Sequence, residues 1–122
     1  MGFREYIEKT EKKGALQRVD VKVSKKLEIS GILKAIEPTP VIFNNVEESA
    51  FRVAGNIFCT KDAIAEYFGV TPADLIPMLS KAISERSEPE TVSNAPCQDV
   101  IELGVDLDKL PILFHCEKDG GN

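Results

Sequence analysis

The chain has no tryptophan, one histidine (His115) and three widely separated cysteines (Cys59, Cys97, Cys116) in 122 residues. An odd number of distant cysteines builds neither a disulfide framework nor a short-spaced zinc knuckle, so reduced and buried thiols are expected. No apolar run approaches the roughly 18 residues that cross a bilayer. The charged opening MGFREYIEKTEKKG also lacks the apolar centre of a secretory signal, and together these features predict a cytoplasmic protein with no membrane span. Positive charge is in deficit, with 15 Lys and Arg against 20 Asp and Glu and a net charge of −5. That balance argues against a nucleic-acid partner, which requires a basic footprint. The glycines are scattered apart from Gly120-Gly121, so no glycine-rich phosphate loop stands between a strand and a helix, and no G-x-S-x-G elbow occurs.

What is present is the patterning of one globular domain. Phe3, Tyr6, Ile7 and Thr10 make a narrow helical stripe within Gly2 to Lys13, and Gly14 supplies a left-handed stop. From Leu16 to Val23 the period changes to two, with Val19, Val21 and Val23 on one face of a predicted strand. Ile29, Ile32, Leu33 and Ile36 define a second helix from Lys26 to Glu37, ended by Pro38 and Pro40. Val41 to Phe43 reads as a deeply buried strand, and Phe51 to Phe58 as its antiparallel partner, with Gly55 marking a bulge or a close backbone approach.

Thr60 can cap a helix from Lys61 to Phe68 that turns Ala63, Ile64, Tyr67 and Phe68 inward and is closed by Gly69. Thr71, Pro72 and Asp74 fit the first positions of another helix, with Leu75, Ile76, Leu79, Ala82 and Ile83 inward and Pro77 bending it or delaying its regular part. Residues 87–96, SEPETVSNAP, form a polar linker or exposed loop. A strand over Cys97 to Leu103, a helical turn within Asp106 to Leu110 and the apolar PILFHC of Pro111 to Cys116 complete the pattern. The order predicts an α/β (or α+β) fold with a single small mixed β-sheet and helices packed on it.

Few residues offer chemistry. His115 and Cys116 are adjacent and point to opposite faces of a strand, so they do not share a ligand site, and Asp119 would have to fold back to join them. Glu47-Glu48 and Asp106/Asp108 sit in polar turns, where solvated charges are expected. No catalytic, cofactor-binding or metal-binding residue is assigned from these patterns. The ending, an apolar strand followed by Asp-Gly-Gly-Asn, suits a turn into another element, and a longer natural chain is expected.

Several phrases, in order from Phe3 to Gly121, carry a family likeness: FREYIEKTEKKGALQRVDVKV, VIFNNV, FRVAGNIFCTKDAIAEYFGV, NAPCQDVIELGVDLDKLPIL and HCEKDGG. Together they resemble the N-terminal region of UbiD-like decarboxylases. The resemblance implies a parent enzyme of the carboxy-lyase class that reversibly decarboxylates an aromatic or α,β-unsaturated carboxylic acid with prenylated FMN, aided by Mn2+ and K+. It implies that residues 1–122 are the N-terminal α/β domain, that the partner is the cofactor-binding remainder of the chain, and that the assembly is a homo-oligomer. The family's catalytic Glu-Arg-Glu network and its Asn, His and Glu metal ligands match no position here, and His115 stands where the family often has His or Trp. The chain alone is accordingly expected to hold no cofactor and to be inactive. The competing reading is a stand-alone, non-enzymatic α/β interaction module.

Overall fold

Three consecutive apolar residues sit at the centre of the structure, a computed structural model that describes residues 1–119; the predicted Gly120-Gly121 turn lies outside the described residues. The strands are β1 (Gln17–Val19), β2 (Val41–Phe43) and β3 (Val53–Gly55), in the order β1-β2-β3. β2 pairs parallel with β1 in the register Arg18 to Ile42, and antiparallel with β3 in the register Ile42 to Ala54. The sheet is therefore mixed, as the hairpin-interrupted alternation predicts.

Side-chain alternation splits β2 between two layers. Val41 and Phe43 are fully buried in a cluster with Val23, Ile29 and Val46. Helix α2 (Glu28–Ile36) covers that face, with Ile32, Leu33 and Ile36 packed against the cluster. Burying side chains of this size contributes about 1.5–3 kcal/mol each before entropy is counted. Gly55 lies directly beneath α2: a Cβ built on it would stand 2.2 Å from Leu33 Cδ2, so the close approach expected there is real. Asn56 follows with φ 56° and donates from its side-chain amide to the Leu33 carbonyl at 2.8 Å.

Ile42 points to the opposite face, beside α1 (Phe3–Lys12). Helix α1 ends before Gly14, whose φ of 69° is the left-handed stop its sequence requires. Tyr6 anchors α1 to α3 (Lys61–Phe68): its hydroxyl donates to the Ala63 carbonyl at 3.0 Å, and its ring lies 5.7 Å from Phe58 and 5.4 Å from Tyr67. Lys9 and Lys13 both pair with Glu66 across the same contact, and these hydrogen bonds hold the Glu66 carboxyl below its usual range. Thr60 caps α3 by accepting from the Ala63 N–H at 3.1 Å, and Gly69 closes it at φ 73°.

The structure departs from the sequence pattern in several places. The strand predicted over Leu16 to Val23 is paired as strand only at Gln17–Val19; Val21 is 69% exposed, and Val23 returns to the core through a single bridge to Val46. In α3 it is Ala65 that is buried, whereas Phe68 is exposed, because the helix leans its Ala65 side inward. Helix α4 (Leu75–Ser84) begins after a turn at Thr71 to Asp74, so Pro77 lies in its first turn, where no amide partner is lost, and the helix runs on unbroken. Of its apolar face only Leu75 is buried; Ile76, Leu79 and Ile83 face outward because no described element covers them.

Residues 87–95 form no helix or strand and are largely exposed, as the polar composition predicts. The strand expected at Cys97 to Leu103 is absent. A short 3-10 turn, η1 (Pro96–Gln98), is followed by exposed chain in which Leu103 is 96% accessible, because no neighbouring strand offers backbone partners. The helical turn predicted near Asp106 is present as η2 (Leu107–Lys109), capped by Asp106 Oδ1 accepting from the Asp108 N–H at 3.1 Å. All three cysteines are exposed rather than buried, since each lies on a surface turn or loop and not on a core-facing strand or helix.

Candidate functional site: the seat of the C-terminal limb

The last described stretch, from Asp106 to Asp119, returns across the domain and is held by a small set of polar side chains. The principal one is Lys25, only 4% exposed. Residues 23 and 25 alternate inward from the end of the β1 segment, which carries a lysine into a place where an aliphatic residue is the usual choice. A buried ammonium is costly unless its donors are satisfied. Lys25 Nζ meets this need by donating to the carbonyls of Asp108 at 3.0 Å and Leu110 at 3.3 Å, at the end of η2.

The Lys25 backbone holds two further segments. Its N–H donates to Glu48 Oε2 at 2.9 Å, and its carbonyl accepts from the Phe114 N–H at 3.1 Å. The Phe114 carbonyl in turn accepts from the Leu27 N–H at 3.1 Å and from Ser30 Oγ at 2.9 Å, forming a parallel bridge between Lys26 and Phe114. Ser49 Oγ adds a bond to the Lys109 carbonyl at 2.6 Å. Leu113 packs on the core cluster, so the apolar PILF stretch is joined to the domain by both packing and backbone pairing.

Glu48 is the electrostatic complement of this seat. Burial opposes its ionisation, but the Ser24 hydroxyl, the Lys25 N–H and the nearby Lys25 charge outweigh it, and its carboxyl is held below the ordinary value. The expectation of a solvated turn charge therefore fails for Glu48, which is half-buried and bonded, and holds for Glu47, which is exposed. Nothing in the local pattern separates the two. Only the fold, which brings residues 24 and 25 alongside, makes the distinction.

His115 lies at the edge of a cavity of about 280 Å3 shared with Ser30, Lys34, Glu37 and Asn56. Ser30 Oγ stands 3.3 Å from His115 Nδ1. Its proton is directed to the Phe114 carbonyl, so the pair lacks the geometry of an activated nucleophile. Asp119 does fold back, but its carboxylate accepts from the backbone N–H of His115 at 2.9 Å and does not reach for the ring. Lys34 donates to Glu37 at 2.7 Å, a bond that raises its pKa.

Among the described residues no group of three or more His, Cys, Asp or Glu side chains is placed to hold a metal. Gly104 stands in open space and precedes no α-helix, so it does not form a glycine-rich phosphate cradle at a helix N-terminus. The described residues show no helix long and apolar enough to cross a membrane.

A three-stranded mixed sheet with α2 on one face and α1 on the other, and a terminal limb locked over its rim, defines a small α/β domain. The chain belongs to the UbiD family: the family described as 3-octaprenyl-4-hydroxybenzoate carboxy-lyase N-terminal domain matches residues 7–83. It is 38% identical over 120 residues to the anhydromevalonate phosphate decarboxylase of Methanosarcina mazei, covering 98% of this chain and 28% of that protein. Its fold is similar to an evolved dimeric form of the UbiD-class enzyme HmfF from Pelotomaculum thermopropionicum in complex with prFMN. That likeness has a TM-score of 0.83 and 26% identity, over 93% of this chain and 28% of that one. The vanillic acid decarboxylase of Sedimentibacter hydroxybenzoicus in closed form shares the fold at a TM-score of 0.77 and 24% identity, over 97% and 28% of the two chains. The chain thus spans little more than a quarter of the length of these relatives.

Proposed function

We propose that residues 1–122 are the N-terminal domain of a longer UbiD-class carboxy-lyase that decarboxylates an aromatic or α,β-unsaturated carboxylic acid with prenylated FMN, Mn2+ and K+ held by the remainder of the polypeptide. The observation that carries this reading is the family match over residues 7–83, joined to the fold shared with HmfF in complex with prFMN. Within such an enzyme the domain works as a mount. Lys25, Ser30 and Ser49 fix the limb that leaves toward the cofactor-binding part, while the outward Ile76, Leu79 and Ile83 of α4 await cover from it. None of the side chains in this chain is assigned a catalytic role. Residues 87–96 form the loop within the domain, the assembly is a homo-oligomer, and its site of action is the cytoplasm.

The first substrate to assay is the phosphorylated acid named for the Methanosarcina mazei relative, followed by hydroxybenzoates. The test compares the intact polypeptide with the 122-residue chain for flavin absorbance and substrate-dependent release of carbon dioxide. Flavin retention and turnover in the intact polypeptide alone are expected. Turnover by the 122-residue chain, or none by the intact polypeptide loaded with prenylated FMN across the whole acid panel, overturns the reading.

A further inference from the structure

Arginine is scarce in this chain and unevenly placed. There are four, at positions 4, 18, 52 and 86, and three of them line one cavity of about 230 Å3 between α1 and the sheet. They arrive from separate parts of the fold: Arg4 from α1, Arg18 from β1, and Arg52 from the residue just before β3. An acidic chain that collects three guanidinium groups around one cavity accepts mutual repulsion there, and an anion relieves it.

Internal pairing accounts for only part of that charge. Glu11 accepts from Arg18 and neutralises it. The Arg4 and Arg52 side chains have no hydrogen-bond or ion-pair partner among the described residues. Glu8 also lines the cavity, leaving one carboxylate against these two cations. Arg4 and Arg52 also border an adjoining cavity of about 250 Å3, whose wall includes Ile7, Ile42 and Ala54. The two forks therefore stand where a polar hollow meets an apolar one.

A guanidinium fork makes two parallel hydrogen bonds to a carboxylate or phosphate, and its donors are stronger when the acceptor is charged. We propose that the cleft between α1 and the outer face of the sheet binds a small amphiphilic oxyanion, with its phosphate or carboxylate head on Arg4 and Arg52 and its apolar body over Ile7, Ile42 and Ala54. The site is separate from the seat of the C-terminal limb, and it stands or falls independently of the decarboxylase reading.

The test is calorimetric titration of the intact polypeptide that carries this chain, at constant ionic strength in chloride, with inorganic phosphate and, separately, hexanoate. At least one probe should bind saturably, and R4Q and R52Q should each weaken it by about tenfold, the effect of one lost charge-assisted bond. R86Q serves as the internal control, because Arg86 lies outside the cleft, and should leave the affinity unchanged. Saturation by phosphate alone assigns a phosphate head group; saturation by hexanoate assigns a carboxylate. Binding of neither probe, binding indifferent to both R4Q and R52Q, or equal weakening by R86Q overturns the proposal. Unchanged far-ultraviolet circular dichroism in the variants is expected, since all three side chains are exposed.

Discussion

Lys25 Nζ lies 3.0 Å from the backbone carbonyl of Asp108, a residue 83 positions further along the chain. The contact joins the first quarter of the chain to its C-terminal stretch through one buried ammonium. Replacing Lys25 by Met keeps the stem and removes the donors, leaving the Asp108 and Leu110 carbonyls without this partner. K25M is expected to cost about 1.5–3 kcal/mol in urea unfolding. It should also speed amide hydrogen exchange at Phe114, whose N–H bonds the Lys25 carbonyl, while exchange in β2 is little changed.

Glu48 makes the seat pH-dependent. Its carboxyl is depressed in the folded state relative to an ordinary value of 4.5, so its contribution is fully present above that value and is lost as pH falls through the lower folded one. Stability measured between pH 7 and pH 3 should therefore decline more steeply in the parent chain than in E48Q. Parallel curves for the two would show that Glu48 carries no such linkage.

Gly55 tests the packing of α2 on the sheet. A methyl group at this position meets Leu33 Cδ2 at 2.2 Å, so G55A must displace that side chain from the core and should lose about 1–3 kcal/mol. In a double-mutant cycle with L33A the penalty should shrink, because the obstructing atoms are gone. Thermal melts of the four proteins measure the coupling directly.

Helix capping gives a local contrast. Thr60 accepts from the Ala63 N–H at the start of α3, and T60A is expected to lower stability by about 1 kcal/mol in chemical denaturation. Thr71 instead bonds Asp74 in a turn that precedes α4, and T71A should cost less.

The cysteines offer the simplest check. Cys59, Cys97 and Cys116 are all free and exposed in the 122-residue chain. A disulfide reagent such as dithionitrobenzoate should titrate all three under native conditions without a slow phase. Thiols that react only after denaturant is added would show that the three side chains are buried instead.

These residues also show what a linear pattern can and cannot reveal. Helical spacing located α2 and its inward Ile29, and turn chemistry located Gly14, Thr60 and Gly69, because those preferences act within a few residues. The same logic misplaced Ile76 and Ile83, since an apolar stripe states that a face seeks cover but not whether the cover is present. It failed at Cys97 to Leu103 for a related reason: a strand is a relation between two segments, and no second segment pairs there among the described residues. The seat itself was hidden. Lys25 looks like any surface lysine in the run VSKKLEIS, and only long-range backbone carbonyls give it a buried role.

The parallel pairing of β1 with β2 and the antiparallel pairing of β2 with β3 have all their residues once residue 55 has been made. During synthesis the ribosome must add more than fifty further residues before the carbonyls that receive the Lys25 ammonium emerge. Until then the Lys25 ammonium lacks these two acceptors. Closure of the nascent domain thus falls into two stages, with the Lys25 clasp and the packing of Leu113 coming late, so a stall in translation before them would leave an apolar rim open to chaperones.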